Sequence, residues 1–256
     1  MRLLREAVAA LVVAGATAMG AVSALAQEGP PINWGGLYFG AGYGVQSTNI
    51  KGTYVTSPIS HHDVSATSQV RNGFVGLQHQ WGQFVFGVEA SYGGTGFGDS
   101  WDSRSNGGTS SCLILTPGLQ CRGRIDSVFT VGPRIGYAPS RNWLLFASGG
   151  YASGRIDTAV RNETTSTEIG RSSNRHDGWF LGGGVEYAYS ANWSFGLEYQ
   201  RLSLDTERHF ENLAPFGNGC CIVNAQTRDM RGDADIFRMR TTFKLNRPEP
   251  VAEPMK

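Results

Sequence analysis

Apolar and polar residues alternate with period 2 through much of this chain, the pattern of strands with two unlike faces. After Trp34, Leu37, Phe39, Ala41, Tyr43 and Val45 fall on one face, with Tyr38, Gly40, Gly42, Gly44 and Gln46 between them. Phe84, Phe86, Val88, Ala90 and Tyr92 repeat the pattern against Val85, Gly87, Glu89 and Ser91. It returns over 129–137 with Arg134 on the polar face, over 179–187 with Glu186, and over 193–199 with Glu198. The last such run is 237–245, where Arg238, Arg240 and Lys244 oppose Phe237, Met239, Phe243 and Leu245. Two further stretches read as strands with less regularity. In 72–81, His79 shares the face of Val75, Leu77 and Trp81, and 143–154 has no assignable parity. Eight strands are predicted.

The chemistry of the two faces decides what surrounds them. A soluble sandwich would put Val, Ile and Leu inside and Lys or Thr outside. Here the apolar face is nearly free of charge and gathers Trp81, Tyr92, Tyr137, Trp143, Tyr187 and Trp193 toward the strand ends. That is the aromatic girdle of a lipid-facing band. The opposite face is rich in glycine and predicts a small, polar interior, as a narrow eight-stranded barrel requires. A charge at the lipid midplane costs about 2–4 kcal/mol, so Glu89, Arg134, Glu186, Glu198, Arg238 and Arg240 are expected inside, paired with one another. Short links at Gly82, 139–142 and 190–192 alternate with long ones over 47–69, 93–123, 155–177 and 203–235. The expectation is an all-β, antiparallel, up-and-down transmembrane barrel with short periplasmic turns and four long extracellular loops.

Composition sharpens this. The 256 residues include 35 glycines, about twice average usage, and only 17 % charged residues. Basic and acidic residues number 22 and 21, which supplies no excess for neutralising nucleic-acid phosphates. Residues 1–26 have the parts of a secretory signal: Arg2 and Arg5, an apolar core around Leu11 to Val13, and small residues Ala24 and Ala26 for cleavage before Gln27. The expected organisation is a signal peptide (1–26), a short periplasmic segment (27–33), the barrel (34–245) and a Pro- and Glu-containing periplasmic tail (246–256).

The stretches NWGGLYFG (33–40), GFVGLQHQWGQFVFGVEASY (73–92), GYAPSRNWLLFASGGYASG (136–154) and WFLGGGVEYAYSANWSFGLEYQRLSLD (179–205) resemble the eight-stranded outer-membrane barrels of alphaproteobacteria. That family includes major surface proteins and immunogens. The resemblance spans most strands from 34 to 245 but not the long loops. It implies a Gram-negative outer-membrane location and contacts with membrane lipid, lipopolysaccharide and the barrel-insertion machinery. It also implies an insertion signal at Phe243 and Leu245, displaced inward by the tail.

No recognised catalytic or metal motif is found. His61, His62 and Asp63, like His176, Asp177 and His209, read as polar groups of loops or strand ends. The glycine runs 40–44 and 182–184 lie within strands, with no helix start to hold a phosphate. Among the four cysteines, Cys112 with Cys121 closes a short loop, while a bridge to Cys220 or Cys221 is the competing connectivity. No catalytic residue, metal or cofactor is expected. The functional expectation is a monomeric, non-enzymatic surface barrel supporting the envelope and meeting host or environmental ligands through its loops. A narrow solute channel is the alternative, and a lipid hydrolase needing a Ser–His pair is the remote one.

Overall fold

A computed structural model describes residues 32–55, 61–95, 119–162, 165–211 and 226–245. The eight strands are β1 (Gly36–Tyr54), β2 (His61–Trp81), β3 (Phe84–Thr95), β4 (Leu119–Tyr137), β5 (Trp143–Asn162), β6 (Glu168–Ala188), β7 (Trp193–Glu211) and β8 (Gln226–Leu245). Each pairs antiparallel with its neighbours in sequence, and β1 closes on β8 in register Phe39↔Phe243, so the sheet has no free edge along its closed part. One end carries the short turns. Gly82 sits at φ 61° in the two-residue turn between β2 and β3, a left-handed conformation that glycine adopts without steric cost.

The strands run well beyond the expected ones. Except for β3 they are 19–21 residues long, and positions read as long loops continue the ladder: 47–54, 61–69, 155–162, 168–177 and 203–211 are strand. On each strand only the five outward positions nearest the turns are mainly apolar. On β8 these are Leu245, Phe243, Thr241, Met239 and Phe237, and on β2 Trp81, His79, Leu77, Val75 and Gly73. Nine residues of tilted strand match the lipid-facing band of such barrels. The remaining ten or so residues rise roughly 20–25 Å above it.

Above the band the polarity of the wall inverts, on β1, β2, β6 and β8 with parity unchanged, and on β4 and β7 across register shifts between Ile125 and Ser127 and between Leu204 and Glu207. Outward positions become Asp235, Asp233 and Arg231 on β8, Arg201 on β7, Arg155 on β5 and Arg71 and Thr67 on β2. Many inward positions become apolar: Ile50, Ile125, Ile156, Leu202, Leu204 and Met230 form one buried cluster with their neighbours, beside inward polar groups such as Thr158, His176 and Arg228. The expected charged and glycine-bearing interior is therefore that of the lower barrel, where it also holds large rings such as Tyr38, Phe74 and Phe146. The upper barrel stands in water, and burial of apolar side chains holds it closed as in a soluble barrel.

Candidate functional site

The lumen is layered, and β8 read upward from its turn end passes through every layer: Lys244, Thr242, Arg240, Arg238, Ile236, Ala234, Met230 and Arg228, all buried. At the lower mouth Trp34, expected to begin the first strand, instead precedes β1 and is 1 % exposed. Its N–H donates to Gln80 Oε1 (2.7 Å), its carbonyl accepts from Gln78 Nε2 (2.5 Å), and Lys244 Nζ lies 4.3 Å from its ring centroid. Trp34 packs with Val85, Leu144 and Ala188 to cover the lumen from below.

The next layer contains the six charged residues assigned to the interior. Arg240, fully buried, is its hub, with Nη2 2.7 Å from Glu89 Oε2, Nε 3.0 Å from Glu186 Oε1 and Nη1 3.1 Å from Glu198 Oε2. Arg134 Nη2 meets Glu186 Oε1 at 2.6 Å, and Arg238 Nε donates to Glu198 Oε2 at 2.9 Å. Three guanidinium groups thus balance three carboxylates. Desolvated charges persist only when so paired and hydrogen-bonded.

Residues beyond those six complete the layer. Tyr38 donates to Glu89 (2.8 Å), Ser194 to Glu186 (3.1 Å), and Arg134 Nη1 to Gln78 (2.8 Å). Phe146 lies beneath Arg134 and Phe74 beneath Arg240, at 4.0 and 4.1 Å from centroid to guanidinium carbon, a cation–π arrangement. These rings fit because glycines face them: a Cβ on Gly76 would strike the Tyr38 ring, one on Gly40 the Phe74 ring and one on Gly184 the Phe146 ring. The signal was the inward parity of Tyr38, between Leu37 and Phe39. Phe146 lay where parity could not be assigned.

A third constellation lies above the band. His176 lies within β6 and not in a loop, and His209 stands near the end of β7, two residues before Glu211; both are buried and face inward. The Asp205 carbonyl only accepts, so His176 Nδ1–H donates to it (2.9 Å). His176 Nε2 then accepts from His209 Nε2–H (2.7 Å), and His209 Nδ1 accepts from the Ser172 hydroxyl (3.2 Å). This is the arrangement that two neutral imidazoles take. Burial pushes His176 below its ordinary value. Burial, with His176 and Arg228 beside it, holds His209 down to about 4. The Ser–His pair absent from the sequence reading thus exists, but it faces the packed interior above the lipid band.

Of the proposed interface aromatics, Trp81, Tyr137, Trp143, Tyr187 and Trp193 point outward at the turn end, and Tyr92 points outward at the top of β3. Phe243 packs against Trp193 and Phe39 at centroid distances of 4.9 and 5.5 Å, and Leu245 ends β8. His61–Asp63, read as a loop, begin β2. Ala24, Ala26, Gln27 and Cys112 lie outside the described residues; Cys121 begins inside β4, its side chain undescribed.

Residues 12–226 match the model of the outer membrane protein beta-barrel domain. The 31 kDa outer-membrane immunogenic proteins of Brucella melitensis biotype 1 and Brucella suis biovar 1 are each 28 % identical over 175 residues, 65 % of this chain and 70 % of theirs. Among solved structures, the outer membrane protease OmpT from Escherichia coli aligns with a TM-score of 0.48 at 9 % identity, over 86 % of this chain and 99 % of that one. OprG from Pseudomonas aeruginosa aligns at 0.48 and 10 %, over 85 % and 99 %. With a closed eight-stranded wall banded for lipid and a family match across most of its length, the chain belongs to the outer membrane protein β-barrel family and resides in the Gram-negative outer membrane.

Proposed function

We propose that this protein is a non-catalytic, non-conducting scaffold. It lends stiffness to the outer membrane and raises a water-exposed barrel and its connections outside the cell, as a monomer. The observation that carries this reading is the filled lumen. The Arg134–Glu186–Arg240–Glu89–Glu198–Arg238 layer crosses it, with Trp34 below and the Leu202–Ile156 cluster above. A continuous water path would have to break all three. Lipid and lipopolysaccharide surround the band, the insertion machinery reads Phe243 and Leu245, and ligands of host or environment meet the raised part. The immunogenic naming of the Brucella relatives supports surface exposure.

The test is planar-bilayer conductance of the refolded protein. Insertion without current steps is expected for the wild type. Reproducible steps that change selectivity on Glu198→Gln would overturn the scaffold and establish the narrow channel.

A further inference from the structure

We propose that the lumen carries a binding site for a short-chain carboxylate, in a cavity between the charged layer and the apolar cluster above it. The site goes beyond the scaffold reading and leaves the plug beneath it intact. The cavity lies where β3 stops at Thr95 while β2 and β4 continue upward, and it is partly open to the outside. Arg238 is at its lower side, Asn72, Gly93 and Thr95 are in its wall, and Val70, Ile125 and Ile236 are at its upper side.

Asn72 is the first sign of a ligand. It is 8 % exposed, yet neither its amide oxygen nor its amide nitrogen has a hydrogen-bond partner among the described residues, and the Thr95 hydroxyl has none either. A buried amide in that state is destabilising until a bound group satisfies it. The wall nevertheless makes room for this side chain. Its register partners on both sides are glycines, and a Cβ on Gly42 would strike Asn72 Oδ1 while one on Gly93 would strike Asn72 Cβ.

Arg238 supplies the charge. Its Nε donates to Glu198 Oε2 (2.9 Å), an oxygen that Arg240 Nη1 shares at 3.1 Å. The four N–H bonds on its two Nη atoms have no hydrogen-bond partner among the described residues. A guanidinium that uses one of five donors on a shared carboxylate can hold a second one bidentately. Charge balance points the same way. Among the described residues the lower lumen holds Arg134, Arg238, Arg240 and Lys244 against Glu89, Glu186 and Glu198, an excess of one cation. Asn72 Nδ2 and the Thr95 hydroxyl are further donors to an anion held there. The cavity and its open mouth together enclose about 310 Å³, the small end of ligand pockets. The ligand is therefore a head group with a few carbons, its chain lying against Val70, Ile125 and Ile236.

The test uses the full chain refolded in neutral detergent, labelled with ¹⁵N and titrated with sodium butyrate, sodium formate and butanol at fixed ionic strength. The readout is the Arg238 side-chain N–H signal. The wild type should show a saturable shift with both carboxylates. Asn72→Asp places a carboxylate of the protein beside Arg238 and should weaken both at least tenfold. Val70→Phe fills the apolar side and should lose butyrate while keeping formate, which separates a blocked chain from a damaged fold. Equal butyrate affinity in the wild type and both variants overturns the site. So does saturation by butanol at the butyrate concentration, or a signal that answers to neither carboxylate, which would leave the cavity to water alone. Current steps in a planar bilayer would refute the scaffold reading whatever butyrate does, whereas a silent bilayer without carboxylate binding refutes only this site.

Discussion

The lower and upper barrels are built by the same strands, most of them with unbroken parity, yet they are opposite kinds of protein. Below, on β8, Phe237 and Met239 face lipid while Arg238 and Arg240 face the lumen; a few residues higher, Asp235 and Asp233 face out while Ile236 and Ala234 face in. The solvent makes the difference. Hydrocarbon cannot hydrate a charge, so charges retreat inward and must neutralise one another. Water offers no comparable penalty, and the upper wall closes over the side chains that water rejects.

The strongest way to break the comparison is Arg240→Ala. It strands Glu89, Glu186 and Glu198 in the lower lumen and should cost about 3–5 kcal/mol, measured by heat or urea unfolding of the refolded barrel. A loss below 1 kcal/mol would mean that water already reaches the layer. Next comes one substitution placed at two heights on the outward face of β2. Leu77→Arg, in the middle of the lipid band, should cost about 2–4 kcal/mol in a bilayer, and Thr67→Arg, in the upper wall, less than about 0.5 kcal/mol. Equal costs would show that the band ends elsewhere.

A further effect belongs to the upper barrel alone. His176 and His209 bind protons less readily when folded than when unfolded, near 6.5, with His209 down at about 4. Their neutral pairing is fully favourable above pH 6.5 and is lost as pH falls toward 4, because the unfolded state then takes up more protons. Added charge there faces Arg228 on β8, with Asp157 on β5 and Glu207 and Asp177 on the flanking strands only partly offsetting it. Acidification from pH 7 to 4 should raise amide exchange in 202–209 before 193–199, and His209→Gln should flatten that dependence.

Much of the lower barrel was legible in the chain. Alternation from Leu37 to Val45 and from Phe237 to Leu245 identified strands, girdle and lumen, because lipid imposes one polarity rule on every outward position. The same rule put Glu89, Arg134 and Arg240 inside, although it carried no information on which carboxylate meets which guanidinium. The upper strands were hidden by their inversion. In DMRGDADIF (229–237) the alternation continues without a break, but its apolar members, Met230, Ala234 and Ile236, have moved to the face that was charged below. A search for one phase takes such a segment for a polar loop. His176 and His209 meet through closure of β6 on β7, a contact that neither stretch announces by itself.

The sequence by itself determined that strands cross a membrane, which face meets lipid, and which charges must retreat from it. Those choices follow from local alternation and the cost of desolvating charge. Only the tertiary structure decided the hub at Arg240, the histidine pair, the cavity beside Asn72 and the height of the wall. The hub joins β3, β6, β7 and β8, the histidine pair depends on register between neighbouring strands, and register is set by the closed barrel as a whole.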